Sequence, residues 1–197
     1  MKGYIVVEGQ TDCELLGRLI PEDIRDRLII VPSGGRSDAV SLCRSILSQR
    51  QAPTVLVVDS DTTDEVKIRE QHLILDDLLS SVAGTVAYRV LLAVPELEAV
   101  FLGDVAALEE VVGIRLSDAD TITAKYRPKE VIVRLMRQAG ISGESKLIAG
   151  LTGKTLDSLM QHPLVADIVK FFRGSLGDDL SPCLAAIPAG SVSEKGK

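Results

Sequence analysis

The sequence predicts an α/β fold, a mainly parallel four-stranded sheet flanked by helices with a C-terminal helical extension. Three observations carry this. Short β-branched runs alternate with longer segments of helical period through the first half of the chain, the pattern of βαβ units. Strand-like runs stop after Val94. A chain of 197 residues, 46% of them hydrophobic, can bury one sizeable core.

Residues 4–7, 28–31, 54–58 and 86–94 read as strands, each a compact run rich in Val, Ile and Leu. Between them, residues 12–19, 37–48 and 65–82 carry apolar side chains three and four apart and read as helices packed on the sheet. Beyond Val94 the pattern is helical throughout. Pro95 is expected to open a helix at its first turn, with 96–102 and 106–112 helical. Further helices are expected from Pro128 to 139, at 145–151, at 155–160 and at 164–172. This divides the chain into a core at 1–94, a helical extension packed on it at 95–176 and a tail at 177–197, rich in Gly, Pro, Ser and Ala and expected to fray. There is no internal repeat.

Charge and composition narrow the function. A net charge of −6 and a pI near 5.0 argue against gripping nucleic acid by overall basicity, because backbone affinity comes from Lys and Arg neutralising phosphates. Contact with nucleic acid would have to be local, metal-bridged or supplied by a partner. Cys13, Cys43 and Cys183 are too few and too irregularly spaced for a disulfide framework or a zinc site. No signal-peptide core or membrane-spanning stretch is present, so a reducing cytoplasm and no membrane are expected. Aromatic residues make up only 3% of the chain, with no Trp, which weakens the case for a base-stacking platform.

The residues that carry chemistry are acids at strand ends. Tyr4-Ile5-Val6-Val7-Glu8-Gly9-Gln10-Thr11-Asp12 is an apolar strand ending in a carboxylate and a glycine, and ligands of open α/β sheets bind outside the carboxyl ends of strands. Gly9 suits the sharp turn, and Thr11 or Asp12 can cap the next helix. In Thr54-Val55-Leu56-Val57-Val58-Asp59-Ser60-Asp61 a strand runs into two aspartates two apart. Alternate residues of an extended chain point the same way, so Asp59 and Asp61 offer two carboxylates to one site if extension persists. Two crowded anions need a counter-charge, and Mg²⁺ or Mn²⁺, as one ion or two, takes such oxygens while keeping waters for substrate. The plain alternatives are a solvated loop acid at Glu8, a helix-start residue at Asp12 and an Asx turn at Asp59.

A strand-Glu-Gly motif followed some fifty residues later by strand-Asp-x-Asp resembles the TOPRIM domain of topoisomerases, primases and OLD-family nucleases, over roughly residues 2–94. The resemblance implies a TOPRIM-like Rossmannoid fold and a metal held by Glu8, Asp59 and Asp61. Glu-Gly-x-Thr-Asp is more similar to the OLD branch and adds Asp12 as a second-metal ligand. Val94-Pro95-Glu96-Leu97-Glu98-Ala99 resembles the Pro-Glu-x-Glu-Ala segment of small stand-alone TOPRIM proteins, which usually carry a large aromatic where this chain has Val100. It implies Glu96 as an extra ligand and Glu98 as a weaker one, against pure capping of a helix N-terminus by acids.

The loop Pro32-Ser33-Gly34-Gly35-Arg36-Ser37-Asp38 follows the second strand, on the acids' edge. Its glycines let backbone N–H groups approach an anion and Arg36 can meet a phosphate, so Gly34, Gly35 and Arg36 are candidates for substrate positioning, against a simple turn with Ser37 as cap. It lacks the Gly-Lys-Ser/Thr ending of a P-loop. OLD-type nucleases use a lysine from beyond the sheet to offset phosphate charge; chain order makes Lys146 the first candidate and Lys129, within the cluster Lys125, Arg127, Lys129, Arg134 and Arg137, the second. Solvated helix faces are the ordinary reading of such lysines. His72 and His162 read as structural.

The sequence therefore predicts a metal-dependent nuclease acting on DNA or RNA, and by resemblance an anti-phage effector beside a separately encoded ATPase, since no Walker motif is present. The rivals are a nucleotidyl-transfer enzyme and a non-catalytic interaction module. The apolar run Leu164, Val165, Ile168, Val169, Phe171 and Phe172 points either to a homodimer surface or to packing against the sheet.

Overall fold

The structure is a computed structural model and describes residues 1–177. Strands β1 (Gly3–Val7), β2 (Leu28–Pro32), β3 (Thr54–Asp59) and β4 (Tyr88–Ala93) form one parallel sheet in the order β2-β1-β3-β4. In register, Tyr4 lies beside Ile29 on one side and Thr54 on the other, and Thr54 beside Tyr88. Buried on both faces, β1 and β3 are near-continuous aliphatic runs, as central parallel strands must be.

Each crossover is helical, and the two faces differ. Helices α3 (Arg36–Ser45), extended by a π turn (Ile46–Arg50), and α4 (Glu65–Ala83) cover one face, where Ala39, Cys43, Leu75 and Leu79 pack on Val6, Leu56 and Val58. Helix α1 (Gln10–Leu19) starts the other face, with Leu15, Leu16 and Leu19 on Ile5 and Val55. A short α2 (Glu22–Arg25) lies between α1 and β2.

All that follows Ala93 among the described residues is helical: a 3₁₀ segment (Leu97–Leu102), α5 (Val105–Val112), α6 (Asp118–Ala124), α7 (Pro128–Gln138), α8 (Glu144–Gly150), α9 (Gly153–Met160) and α10 (Pro163–Ser175). These helices stack over the α1 face in one apolar core running from Ile5 to Phe172. Close approach makes this packing specific: a Cβ on Gly3 would overlap the Phe172 ring at Cε1, so α10 seats its ring where β1 has no side chain.

Several expectations need correction. Pro95 opens no helix: the Val94–Pro95 peptide is cis, Glu96 is extended (φ −141°, ψ 156°), and the 3₁₀ turns start at Leu97. The α3 N-cap is Gly35, not Ser37. Helices α2 and α6 lie in segments for which the sequence pattern predicts no element. The apolar run of α10 packs into the core, with Val165, Ile168 and Phe172 buried and Leu164, Val169 and Phe171 partly buried against them, which is the packing alternative. No helix among the described residues is long and apolar enough to cross a membrane. Cys13 and Cys43 are free thiols, and His162 accepts the Leu164 N–H with Nδ1 as the cap of α10. Cys183 and the tail expected to fray, apart from Gly177, lie outside the described residues.

Candidate metal centre and phosphate site

The strand order reverses between β1 and β3, and open parallel sheets bind ligands outside the carboxyl ends of the strands at such a reversal. Glu8 follows the last residue of β1 and Asp59 is the last residue of β3, so they stand on its two sides. They are tied together, with the Asp59 N–H donating to Glu8 Oε1 at 3.0 Å. Asp59 Oδ1 accepts from the Leu97 N–H at 2.8 Å. Asp12, in the first turn of α1, accepts the Gly9 N–H at 2.8 Å, so it does cap the helix start. Backbone amides thus orient one oxygen of each of the three carboxylates, as outer-shell donors do for metal-binding carboxylates.

A fourth acid is Glu98. It is buried in the 3₁₀ segment, and Lys129 Nζ lies 2.7 Å from its Oε1. The crowding leaves an electrostatic mark. Burial, helped by the charges of Glu98, Asp12 and Glu8 and opposed by the Leu97 hydrogen bond, pushes the Asp59 carboxyl up to about 7. Asp12 is also raised, mainly by burial, with Glu98 and Glu8 adding while Gly9 and Lys129 oppose. Glu144, at the start of α8, is raised by burial and then by Glu98, against the pull of Lys129 and a hydrogen bond from Thr11. For Lys129 burial works against the charge, yet the bonded Glu98 carboxylate holds its pKa above the usual lysine value.

The structure therefore brings Glu8, Asp12, Asp59 and Lys129 together as sequence reasoning expected, and adds Glu98 and Glu144. Asp61 differs. Extension ends after Ser60: Asp61 has φ +53°, a left-handed conformation that Asp tolerates better than most residues. Its N–H donates to the Pro95 carbonyl at 2.9 Å, and its exposed carboxylate meets Arg36 Nη2 at 3.0 Å. Asp59 and Asp61 thus do not present parallel carboxylates. Glu96 turns away as well, accepting the Lys129 N–H at the start of α7 at 3.0 Å, so Glu98 holds the position expected of it. Lys146 is bonded to Ser142 Oγ at 2.7 Å and is not among the charges acting on Asp12, Asp59 or Glu144. Glu144 had no signal in linear spacing; only packing of α8 against α1 and α7 brings it in.

The glycine loop closes over β1. Gly34 (φ +96°) and Gly35 (φ +140°) adopt conformations that favour glycine, and the Gly34 N–H donates to the Glu8 carbonyl at 2.8 Å, so it is not free for an anion. Arg36, the first residue of α3, points into the acids: Nε is 3.8 Å from Glu8 Oε1, Nη2 meets Asp61, and the guanidinium also bonds the Asp59 carbonyl. It serves as internal counter-charge here.

The chain as a whole has counterparts of known structure. It is similar to the C-terminal regions of OLD proteins. That of Burkholderia pseudomallei OLD protein superposes with a TM-score of 0.48 at 16% identity, covering 85% of this chain and 98% of the other. That of Xanthomonas campestris pv. campestris OLD protein gives 0.46 at 15% identity, covering 87% and 97%. No family model and no curated protein sequence matches the chain.

Among the described residues no three acid, His or Cys side chains are already arranged around a metal-sized gap. The donor set nevertheless has the chemistry of a hard divalent cation site: oxygen-only carboxylates from the end of β1, from β3, from α1 and from the 3₁₀ segment lie near enough that their mutual repulsion adds to burial in raising Asp12 and Asp59. Glu8, Asp12, Asp59 and Glu98 are the side chains that would hold it.

Proposed function

We propose that the protein is a Mg²⁺- or Mn²⁺-dependent nuclease that hydrolyses phosphodiester bonds of DNA or RNA. The observation that carries this reading is the grouping of Glu8, Asp12, Asp59 and Glu98 about the strand-order reversal, where burial, with the charges of the other three acids adding, raises the Asp59 carboxyl to about 7. Bound there, a divalent ion would neutralise these anions and supply an activated water together with stabilisation of the leaving oxygen. The chain's own groups do the rest. Asp59 and Glu8 are oriented by the Leu97 and Asp59 amides. Lys129, beside Glu98 and on the wall of an open cavity of about 680 Å³ that also reaches Asp61 and Glu96, would take a phosphate oxygen. Arg36 offers a second cation once its contacts with Glu8 and Asp61 are exchanged for phosphate.

Incubating the purified protein with plasmid and transfer RNA, with and without Mg²⁺ or Mn²⁺, tests this. Cleavage that needs the ion and disappears in Asp59→Ala, with the circular dichroism unchanged, is the expected result; cleavage surviving in Asp59→Ala would remove the assignment. Arg36 favours a second reading, because its bridge between Glu8 and Asp61 already supplies counter-charge, as a non-catalytic binding module would need. That reading expects no cleavage with any divalent ion. The nuclease reading extends to action beside a separate ATPase, testable by co-purification.

A further inference from the structure

We infer that the cavity along α7, walled opposite by Asp61 and Glu96, binds single-stranded nucleic acid, with an unpaired base stacked on Tyr126 and its phosphates on Arg127 and Arg137. This deepens the nuclease reading and rests on it. The chain has three Tyr and three Phe, and five of these rings are engaged internally. Phe101 and Phe172 are buried, and Phe171 packs edge-on to Phe172 at 5.0 Å. Tyr4 lies under the Arg50 guanidinium, 5.5 Å from its ring centre, and Tyr88 bonds Asp76 at 3.0 Å. Tyr126 is 63% exposed, and its hydroxyl makes no hydrogen bond among the described residues.

A single exposed tyrosine means little by itself. This one lines the wall of the 680 Å³ cavity that also holds Lys129, the lysine paired with Glu98, and Asp61. Helix α7 supplies the cations of the same wall. Arg127, Arg134 and Arg137 are spaced seven and three apart, which puts them along one face of the helix. Their availability differs. Arg134 is fixed on the buried carboxylate of Asp120. Arg127 pairs with Glu130 at 3.3 Å, an exposed pair of the kind that exchanges readily with a stronger anion. Arg137 is exposed and in no ion pair among the described residues.

Val133 and Arg137 also border a second cavity, of about 450 Å³, which runs on to Thr11 and Glu144. The two cavities therefore meet along α7 at Val133 and Arg137, forming a track with Lys129 on one stretch and Glu144 on the other. A ring on which a base can stack, followed by spaced cations along a groove, is how sequence-tolerant single-strand sites are made. A duplex keeps its bases stacked on one another and gives Tyr126 no free face. The track is small and local, in keeping with a chain of net charge −6 that offers little long-range attraction to a polyanion.

The test is binding by the full chain in EDTA, so that nothing is cut. Fluorescence anisotropy of labelled twelve-residue oligo-dT, oligo-U and a twelve-base-pair duplex is measured for wild type, Tyr126→Ala, Tyr126→Phe and Arg137→Ala. Stacking of one base predicts that Tyr126→Ala weakens both single strands at least about fivefold and the duplex less than twofold, while Tyr126→Phe binds like wild type. A 2-aminopurine base in the single strand should be quenched by wild type and Tyr126→Phe only. Arg137→Ala should flatten the slope of log affinity against log salt by about 0.7, one phosphate on a single strand. Preference for dT or for U identifies which nucleic acid uses the track, and either outcome supports it. Unchanged binding by Tyr126→Ala, or equal losses for strand and duplex, overturns the inference. Failure of the nuclease reading looks different: Tyr126-dependent binding would persist while no divalent ion gave cleavage. Ion-dependent cleavage with Tyr126→Ala binding like wild type would sink the stacking site alone.

Discussion

Replacing Asp59 by Asn should stabilise the metal-free protein at neutral and alkaline pH. Asn keeps an oxygen to accept the Leu97 N–H and removes a charge that burial disfavours first and that Glu98, Asp12 and Glu8 also oppose. The folded carboxyl sits at about 7 against an ordinary value of 3.8, a difference nominally of about 4 kcal/mol at 1.36 kcal/mol per unit. Asp59 is half-buried rather than sealed, so screening by solvent reduces this, and a gain on the order of 2 kcal/mol is expected. The sign follows from linkage. Between pH 4 and 7 the folded state holds a proton on Asp59 that the unfolded state has lost, so wild type loses stability as pH rises through this window. The advantage of Asp59→Asn should therefore be full near pH 8, shrink below pH 7 and be nearly gone near pH 4. Urea unfolding in EDTA at several pH values measures it, with a midpoint shift of about 1 M at pH 8 for an m-value of roughly 2 kcal/mol/M. Added Mg²⁺ should stabilise wild type and leave the variant unmoved. A variant less stable than wild type at pH 8, or a difference that does not change with pH, would refute the crowding of acids around Asp59.

Two further outcomes follow from single contacts. Lys129→Ala should destabilise the protein by about 1–2 kcal/mol, because it leaves the buried Glu98 carboxylate unpaired; chemical denaturation should show that adding Glu98→Gln restores stability, while cleavage assays stay negative for the double variant. Gly3→Ala should cost about 1–3 kcal/mol by forcing the Phe172 ring and α10 away from β1, read as a lower unfolding midpoint, whereas Gly174→Ala, where a Cβ meets nothing within 4 Å, should not.

What was legible in the sequence is what local pattern and strand ends control. The four strands lie where the β-branched runs placed them, because a parallel strand buried on both faces needs a continuous aliphatic run. The placing of Glu8 and Asp59 side by side at one sheet edge was readable because a carboxylate at the C-terminal end of a strand has its position set by the sheet. Asp12 was within reach for a similar reason, lying in the first turn of the helix that follows.

Tertiary structure alone decided the rest. Asp61 left the expected direction when the chain turned to φ +53°, with its N–H on the Pro95 carbonyl contributed from beyond β4. Glu98 rather than Glu96 faces the acids because an extended Glu96 spends its carboxylate on the start of α7, a contact 33 residues away in sequence. Lys129 rather than Lys146 reaches the site, and Glu144 enters it, through the way α7 and α8 stack over α1, and Tyr126 acquires its cavity from the same stacking. Local sequence sets the end of a strand and the turn that follows it; which distant carboxylate, ammonium or ring stands beside that end depends on helix packing, and helix packing is set by many weak apolar contacts that no single motif records.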